Sequence, residues 1–401
     1  MILFSFPVKA TVTFTVTLLW SCWLIPQFCN ATTTTINNVA CDVGPDALTN
    51  FLFHITNETI PQYCIPNPAG GRDRCYYLFV PSCAVGPTAL VIDLHGSHSC
   101  PLFSTIYDRW AETAIQHCFA VVWPVGVTDP EVADDSCFHI PGGRPLLTGL
   151  FITQSCCCAK QGQGLNDTAT LDLVVLKTMM QDILWNKRMD QQSKNGTATM
   201  DATRVYMAGH SNGCMAALSM GAVHSDIVTA VCCHAGGLVT QPPVMYTPIP
   251  TWIVSGQRDT AVWPQFVEET LYYYGSYRHN CSILDRETPL LKGVGIQYNY
   301  ENCTNNATVV WVSLNESGHI PFYNTFEVSP GASKTTIDTT AMAWEFCSSY
   351  AKDEIPHDLI QQQETTPIST SSGDGIVYSK SSSWRGDTLT VAILTLLLVL
   401  F

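Results

Sequence analysis

Asp201-Ala-Thr-Arg-Val-Tyr-Met-Ala-Gly-His-Ser-Asn-Gly-Cys-Met-Ala-Ala-Leu-Ser-Met220 is the stretch that decides how this chain is read. Arg204 to Ala208 is short, apolar and strand-like. Cys214 to Met220 is a good helix former. Between them lies Gly209-His210-Ser211-Asn212-Gly213, a G-x-S-x-G pentapeptide. A serine on a sharp strand-to-helix turn has strained backbone, and small flanking residues avoid a steric clash there. Such a turn lifts the hydroxyl off the sheet and aims a helix N-terminus at the reaction centre. Ser211 is therefore the expected nucleophile, with Gly209 and Gly213 as the structural glycines of the elbow.

Working outward, the chain alternates strand-like and helix-like runs. Short apolar, β-branched stretches predict strands over Cys75 to Val80, Ala89 to Leu94, Phe119 to Pro124, Arg204 to Ala208, Val228 to Cys233, Thr251 to Ser255 and Thr308 to Ser313. Helices are predicted over Ser104 to His117, Leu171 to Trp185, Asn212 to His224, Val262 to Tyr274 and Thr335 to Tyr350. This alternation implies an α/β protein with a mostly parallel sheet covered by helices on both faces. The stretch from Asp129 to Gly164 is loop-like and rich in Gly and Cys.

A serine hydroxyl needs a base, being barely nucleophilic at neutral pH. In folds that carry such an elbow the chain order is serine, acid, histidine. Asp259 follows the apolar run at Trp252, which would stand its carboxylate at the C-terminal edge of the sheet; its competing role is a helix N-cap. His319 follows the last strand in a Gly-containing loop and is the expected base. His210 is expected to point elsewhere on the turn. His234 comes too early in the chain, though it is a candidate pocket residue. His279 sits in a polar stretch beside a sequon, which predicts an outer surface. The oxyanion hole is expected from two backbone N–H groups, those of Asn212 and of Ser97 in His95-Gly96-Ser97-His98, with the His95 side chain as a support for that loop. Packing is expected for Trp123, Trp263 and Trp311 in preference to sugar platforms.

Leu94-His95-Gly96, Val121-Val-Trp-Pro124, the block from Asp201 to Gly213, Asp259-Thr-Ala-Val262 and Gly318-His319 stand in an order that resembles the polyhydroxybutyrate depolymerase and feruloyl esterase family of carbohydrate-esterase-type α/β-hydrolases. The resemblance spans roughly Cys75 to Tyr350, and the 201–213 block is its most specific piece. It implies an α/β-hydrolase fold, a Ser211–Asp259–His319 triad and no cofactor or metal. It also implies cleavage of feruloyl or acetyl esters of polysaccharide, or of a hydroxyalkanoate polyester. The chain departs from the family at Cys214, where a small Gly is frequent, at Ile320-Pro-Phe-Tyr323, and through the 129–164 loop. Two readings compete with an esterase: a catalytically silent surface binding or adhesion protein, and a serine peptidase on the same fold.

The ends and the composition address compartment. Residues 1–29 read as a secretory signal peptide, with a retained signal anchor as the alternative. Residues 30–40 form a leader, 41–352 the catalytic domain and 353–373 a Ser/Thr-rich stalk. Residues 374–401 read as a GPI-attachment propeptide: small residues at Ser372 and Gly373, the expected attachment sites, then a polar spacer and an apolar tail. That tail is shorter than the roughly 20 residues needed to cross a bilayer, which favours the lipid anchor over the alternative, a short tail anchor. The 18 Cys exceed what a reduced cytosolic enzyme carries, and none shows C-x-x-C metal-ligand spacing. Cys156-Cys157-Cys158 and Cys232-Cys233 read as disulfide partners. Sequons at Asn30, Asn57, Asn166, Asn195, Asn280, Asn302, Asn306 and Asn315 predict a glycosylated cell-surface protein. A net charge of −14 without basic blocks excludes nucleic acid as a partner.

Overall fold

Strands buried on both faces are apolar at successive positions, and that is where the sheet lies. The computed structural model describes residues 60–68, 73–97, 99–128, 136–138, 140, 172–193, 196–239, 246–290 and 293–354. All belong to one compact unit. Its strands are β1 (Gln62–Ile65), β2 (Arg74–Phe79), β3 (Gly86–Leu94), β4 (Ala120–Pro124), β5 (Val127–Thr128), β6 (Ser136–Cys137), β7 (Ala198–His210), β8 (Ala230–His234), β9 (Thr251–Gly256), β10 (Ile283–Pro289), β11 (Gly295–Glu301) and β12 (Val309–Leu314). Its α-helices are α1 (Pro101–Tyr107), α2 (Trp110–His117), α3 (Asp172–Trp185), α4 (Arg188–Gln192), α5 (Asn212–Val223), α6 (Pro264–Tyr272) and α7 (Thr339–Ser348).

Ten strands form one sheet in the order β1-β2-β4-β3-β7-β8-β9-β12-β11-β10. The six central strands from β4 to β12 pair in parallel. The two strands beyond each end pair antiparallel. This is the α/β-hydrolase fold. Along β3, Leu90, Ile92 and Leu94 face a core with α3 and α5, while Ala89 and Val91 face a second core with Trp110 and Trp344 from α2 and α7. The period-2 alternation of side chains thus serves two apolar layers at once.

All seven predicted strands are present. Strands β1, β10 and β11 carry no continuous apolar run, being edge strands or next to an edge, and their sequences did not announce them. The predicted helix over 104–117 is two helices. Arg109 takes a left-handed φ of 60°, and Asp108 Oδ1 accepts the Trp110 N–H at 3.1 Å, starting α2 afresh. The helix predicted to open at Val262 begins at Pro264 and runs on into a π-helical turn, Tyr273–Arg278. The last helix is capped by Asp338, whose side chain accepts the Ala341 N–H.

Two expectations are corrected. His279 is fully buried, not surface: its Nδ1 meets Ala307 O at 2.8 Å and its Nε2 meets Tyr246 OH at 2.9 Å. The left-handed backbone of Asn280 reverses the chain there, so the sequon is exposed although its neighbour is inside. Trp123 and Trp311 are buried as expected, but Trp263 is 58% exposed at the entry to α6.

Disulfides pin the sheet and its cover. Cys64–Cys75 crosses β1 to β2 in register, Cys83–Cys118 reaches the end of α2, Cys214–Cys233 joins α5 to β8, Cys232–Cys347 joins β8 to α7, and Cys281–Cys303 closes the loop beyond α6. The departure at Cys214 is thereby explained: the residue is bonded to β8. The asparagines of four sequons, Asn280, Asn302, Asn306 and Asn315, are exposed. Asn30, Asn57, Asn166, Asn195, Cys156 to Cys158, the signal and leader segments, nearly all of the stalk, Ser372, Gly373 and the C-terminal propeptide lie outside the described residues.

Candidate active site

Register brings the site together. Leu94 pairs with Gly209, His210 with His234, and Gly256 with Leu314. The residues that follow each strand end therefore emerge along one edge of the sheet, the C-terminal edge, where open α/β sheets place their ligands.

Ser211 sits between β7 and α5 with φ 56° and ψ −118°. A non-glycine residue held there costs about 1–3 kcal/mol, and the surroundings must impose it. Its N–H donates to His234 O at 3.0 Å, and its carbonyl accepts from Met215 N–H at 3.0 Å. The flanking glycines are required by close approach. A Cβ on Gly213 would lie 1.9 Å from Leu94 O, and one on Gly209 would lie 2.6 Å from the Gly213 carbonyl carbon. Backbone thus packs directly on backbone beneath the serine.

Asp259 leaves β9 in a tight turn. Its Oδ1 accepts the N–H groups of Ala261 (2.8 Å) and Val262 (2.9 Å), and its Oδ2 meets His319 Nδ1 at 2.8 Å. One carboxylate therefore both stabilises its own turn and orients the imidazole. With the Nδ1 proton donated to the carboxylate, Nε2 is left bare as a proton acceptor. The Ser211 hydroxyl has no hydrogen-bond partner among the described residues, His319 included. Catalytic hydrogen bonds of this type commonly tighten only when substrate is bound.

The His319 loop is gripped at both of that residue's peptide groups. Its N–H donates to Glu327 Oε1 (3.1 Å) and Ser329 Oγ (3.0 Å), and Gly318 N–H donates to Glu327 Oε2 (2.8 Å). Its carbonyl lies 2.6 Å from His210 Nε2. Because that acceptor is a carbonyl, Nε2 of His210 carries the proton, and the Tyr107 hydroxyl at 3.4 Å donates to Nδ1. Burial, with the neighbouring His319 second, pushes the His210 imidazole down to about 3, so it is neutral. His210 therefore points at the base loop, contrary to the expectation that it points elsewhere. His234 is no pocket residue: it is fully buried, stacked 4.1 Å from Phe322, with Nε2 3.2 Å from Thr339 Oγ1.

The loop after β3 lies against the serine, since a Cβ on Gly96 would be 3.4 Å from Ser211 Cβ. His95 holds this loop. Gly126 N–H donates to its Nε2 at 3.0 Å, so Nδ1 carries the proton and donates to Gly96 O at 2.8 Å. Burial pushes that imidazole down to about 4, keeping it neutral. Ser97 follows Gly96 in this loop. Asn212 is the first residue of α5, so its N–H has no intrahelical acceptor. Its side chain makes two hydrogen bonds to the backbone of Phe138, at 2.8 and 3.1 Å, tying the elbow to the residue that follows β6. Among the described residues no three His, Cys, Asp or Glu side chains are grouped to hold a metal ion.

His210 was legible as the second residue of the pentapeptide, but its role was not. Glu327, Ser329 and the Asn212 side chain were missed: their contacts follow no periodicity.

No family model and no curated protein sequence matches this chain. Solved structures similar to it include the acetyl xylan esterase from Aspergillus awamori, at 13% identity over 65% of this chain and 94% of that one, with a TM-score of 0.46. A thermostable esterase is 14% identical over 75% of this chain and 64% of its own, with a TM-score of 0.45. An acyl-protein thioesterase 2 from Zea mays is 11% identical over 62% and 91%, with a TM-score of 0.36. The likeness is to diverse esterases and hydrolases of the α/β-hydrolase fold, and it singles out neither polyhydroxybutyrate depolymerases nor feruloyl esterases.

Proposed function

We propose that this chain is a serine carboxylesterase that works through an acyl-enzyme, with Ser211 as nucleophile, His319 as base and Asp259 as its partner. The observation that carries this reading is the 2.8 Å contact of Asp259 Oδ2 with His319 Nδ1 on the same sheet edge as a strained serine. His319 takes the Ser211 proton as the oxygen attacks the ester carbonyl. Asp259 stabilises the imidazolium that results. The N–H groups of Asn212 and Ser97 receive the oxyanion, a donor of this kind contributing about 2.7–4 kcal/mol. The imidazolium protonates the leaving alcohol, and water then releases the acid by the same route.

The substrate class is a feruloyl or acetyl ester of polysaccharide, or a hydroxyalkanoate polyester. The exposed indole of Trp263, four residues after the acid, suits a flat ring at the rim. The compartment is the cell surface, through a cleaved signal and a lipid anchor; the disulfides and the exposed sequon asparagines support it. Ser211→Ala should abolish turnover of p-nitrophenyl acetate with the fold intact. Methyl ferulate, acetylated xylan and short polyhydroxybutyrate chains would then rank the acyl groups. Retained activity in Ser211→Ala would refute the assignment. The Ser211 hydroxyl, without a hydrogen-bond partner among the described residues, favours one second reading, a surface binding protein without turnover. A wild-type protein that cleaves none of these esters and is not labelled by a fluorophosphonate would establish that reading instead.

A further inference from the structure

We propose that His210 is a positioning residue that sets the imidazole of His319 by holding its carbonyl, and so couples the nucleophile elbow to the base loop. The inference rests on the esterase reading above. His210 is covalently joined to Ser211 and is the last residue of β7, fixed by pairing with His234 of β8. Its Nε2–H donates to the carbonyl of His319 at 2.6 Å, and the two rings lie 4.8 Å apart. One side chain thus spans from the serine's own peptide to the histidine's. On the other side of His319, Glu327 and Ser329 take its N–H. The ring of His210 is itself fixed, edge-on to Tyr107 at 5.6 Å and to Phe322 at 5.7 Å, with the Tyr107 hydroxyl on Nδ1. These contacts and the two hydrogen bonds at its nitrogens restrict its rotation about χ2.

The chemistry requires this neighbour to be neutral. When His319 becomes an imidazolium, a second positive ring 4.8 Å away would oppose it. Burial keeps His210 uncharged, so it offers only a fixed N–H dipole, and that N–H is directed at the carbonyl. Loss of this bond frees the His319 carbonyl while the Asp259 contact still holds the ring edge. The imidazole then swings about the Asp259 contact, and a displacement of about 1 Å is enough to cost about a hundredfold in rate.

The test uses the full-length protein with His210→Phe and His210→Gln. Phenylalanine keeps the ring packing and removes both nitrogens. Glutamine places an amide N–H near the position of Nε2. Activity is read as kcat/KM, which reports acylation, on p-nitrophenyl acetate and on ethyl acetate. Ethoxide needs a proton from His319 to leave and p-nitrophenoxide does not, so a displaced imidazole penalises the ethyl ester more. The expected result is a loss of about tenfold on the p-nitrophenyl ester and about a hundredfold on the ethyl ester for His210→Phe. His210→Gln should recover both to within about threefold of wild type. Thermal melting and circular dichroism verify that the variants are folded. Equal losses on the two esters, a wild-type rate in His210→Phe, or a His210→Gln variant as impaired as His210→Phe would each overturn the inference while the esterase reading stands. A wild-type protein that cleaves neither ester removes both.

Discussion

Ser211 and His319 share one sheet edge, yet the elbow and the base loop are built by different means. The elbow is made of backbone pressed on backbone: Gly213 against the carbonyls of Leu94 and His95, Gly209 against Gly213, and Ser211 N–H on the end of β8. A disulfide from Cys214 to Cys233 ties the helix that follows to that same strand. The base loop shares one such contact, Gly256 of β9 against the carbonyls of Ser317 and Gly318, but among the described residues no disulfide ties it and His319 itself lies beyond that contact. His319 is held by four side chains, Asp259, Glu327, Ser329 and His210, three of them more than eight residues away along the chain. The elbow's geometry is thus fixed by local covalent constraints and excluded volume. At His319 itself the loop's geometry depends on side-chain hydrogen bonds, each of which a single substitution can remove.

The largest predicted effect follows from the strongest of those bonds. In Asp259→Asn the carbonyl oxygen can still accept from Ala261 and Val262. The amide then faces Nδ1 with a donor, so the imidazole adopts the tautomer with its proton on Nε2, where Ser211 needs an acceptor. By analogy with the same change in serine proteases, kcat should fall by about 10⁴ with little change in thermal stability. A pre-steady-state assay that finds kcat within tenfold of wild type would show that the Asp259 contact orients nothing.

The elbow should answer differently. Replacing both Cys214 and Cys233 by alanine removes a link across 19 residues and should cost about 3 kcal/mol of stability, read by urea unfolding. The folded fraction should keep its fluorophosphonate labelling rate, because the glycine contacts that impose the Ser211 conformation remain. A variant that stays fully stable but labels slowly would reverse this division of labour between backbone packing and disulfide.

Glu327→Gln tests the base loop from its N–H side. Oε1 of Glu327 takes the N–H groups of His319, Val328 and Ser329, and Oε2 takes that of Gly318. Glutamine must turn a donor toward one of these donors. A Cβ on Gly318 would sit 2.3 Å from Oε1, so the loop has no room to withdraw. A fall of about ten- to a hundredfold in kcat, with KM nearly unchanged, is expected in steady-state assays. A pure KM effect would assign Glu327 to substrate binding instead.

The same contrast explains what was legible in the sequence. Close backbone approach excludes every side chain but hydrogen, so the elbow is written as glycines at fixed spacing around Ser211. The central strands are apolar because they are buried on both faces, and all were readable. The pairing of Asp259 with His319 was readable through chain order and through the position of each residue after a strand. Glu327 was not, since a carboxylate that accepts backbone N–H groups in a loop has the same sequence appearance as one in solvent. His279 misled for the related reason that one left-handed residue, Asn280, separates a buried ring from an exposed sequon. The edge strands β10 and β11 carry polar residues, and only their pairing with β12 makes them strands.

The smallest effect lies beneath the elbow, at the end of β3. Asp93 is 4% exposed, and its carboxyl faces that of Asp108, which is equally buried. Among the described residues, Oδ2 of each meets no hydrogen-bond partner of ordinary geometry. Burial pushes Asp93 up to about 6, and burial together with the Asp93 charge raises Asp108 as well. A folded-state pKa above the unfolded value means that the protonated form stabilises the fold. This stability is fully present below the usual carboxylate value near 3.8 and is lost as pH rises through about 6. Asp93→Asn has no proton to lose there, and it leaves Asp108 beside a neutral donor. Thermal melts should therefore show the variant gaining on wild type between pH 4 and pH 7, with the two nearly equal at the acid end. A constant difference across that range would mean that the pair does not titrate with folding, and that the floor of the elbow is indifferent to charge.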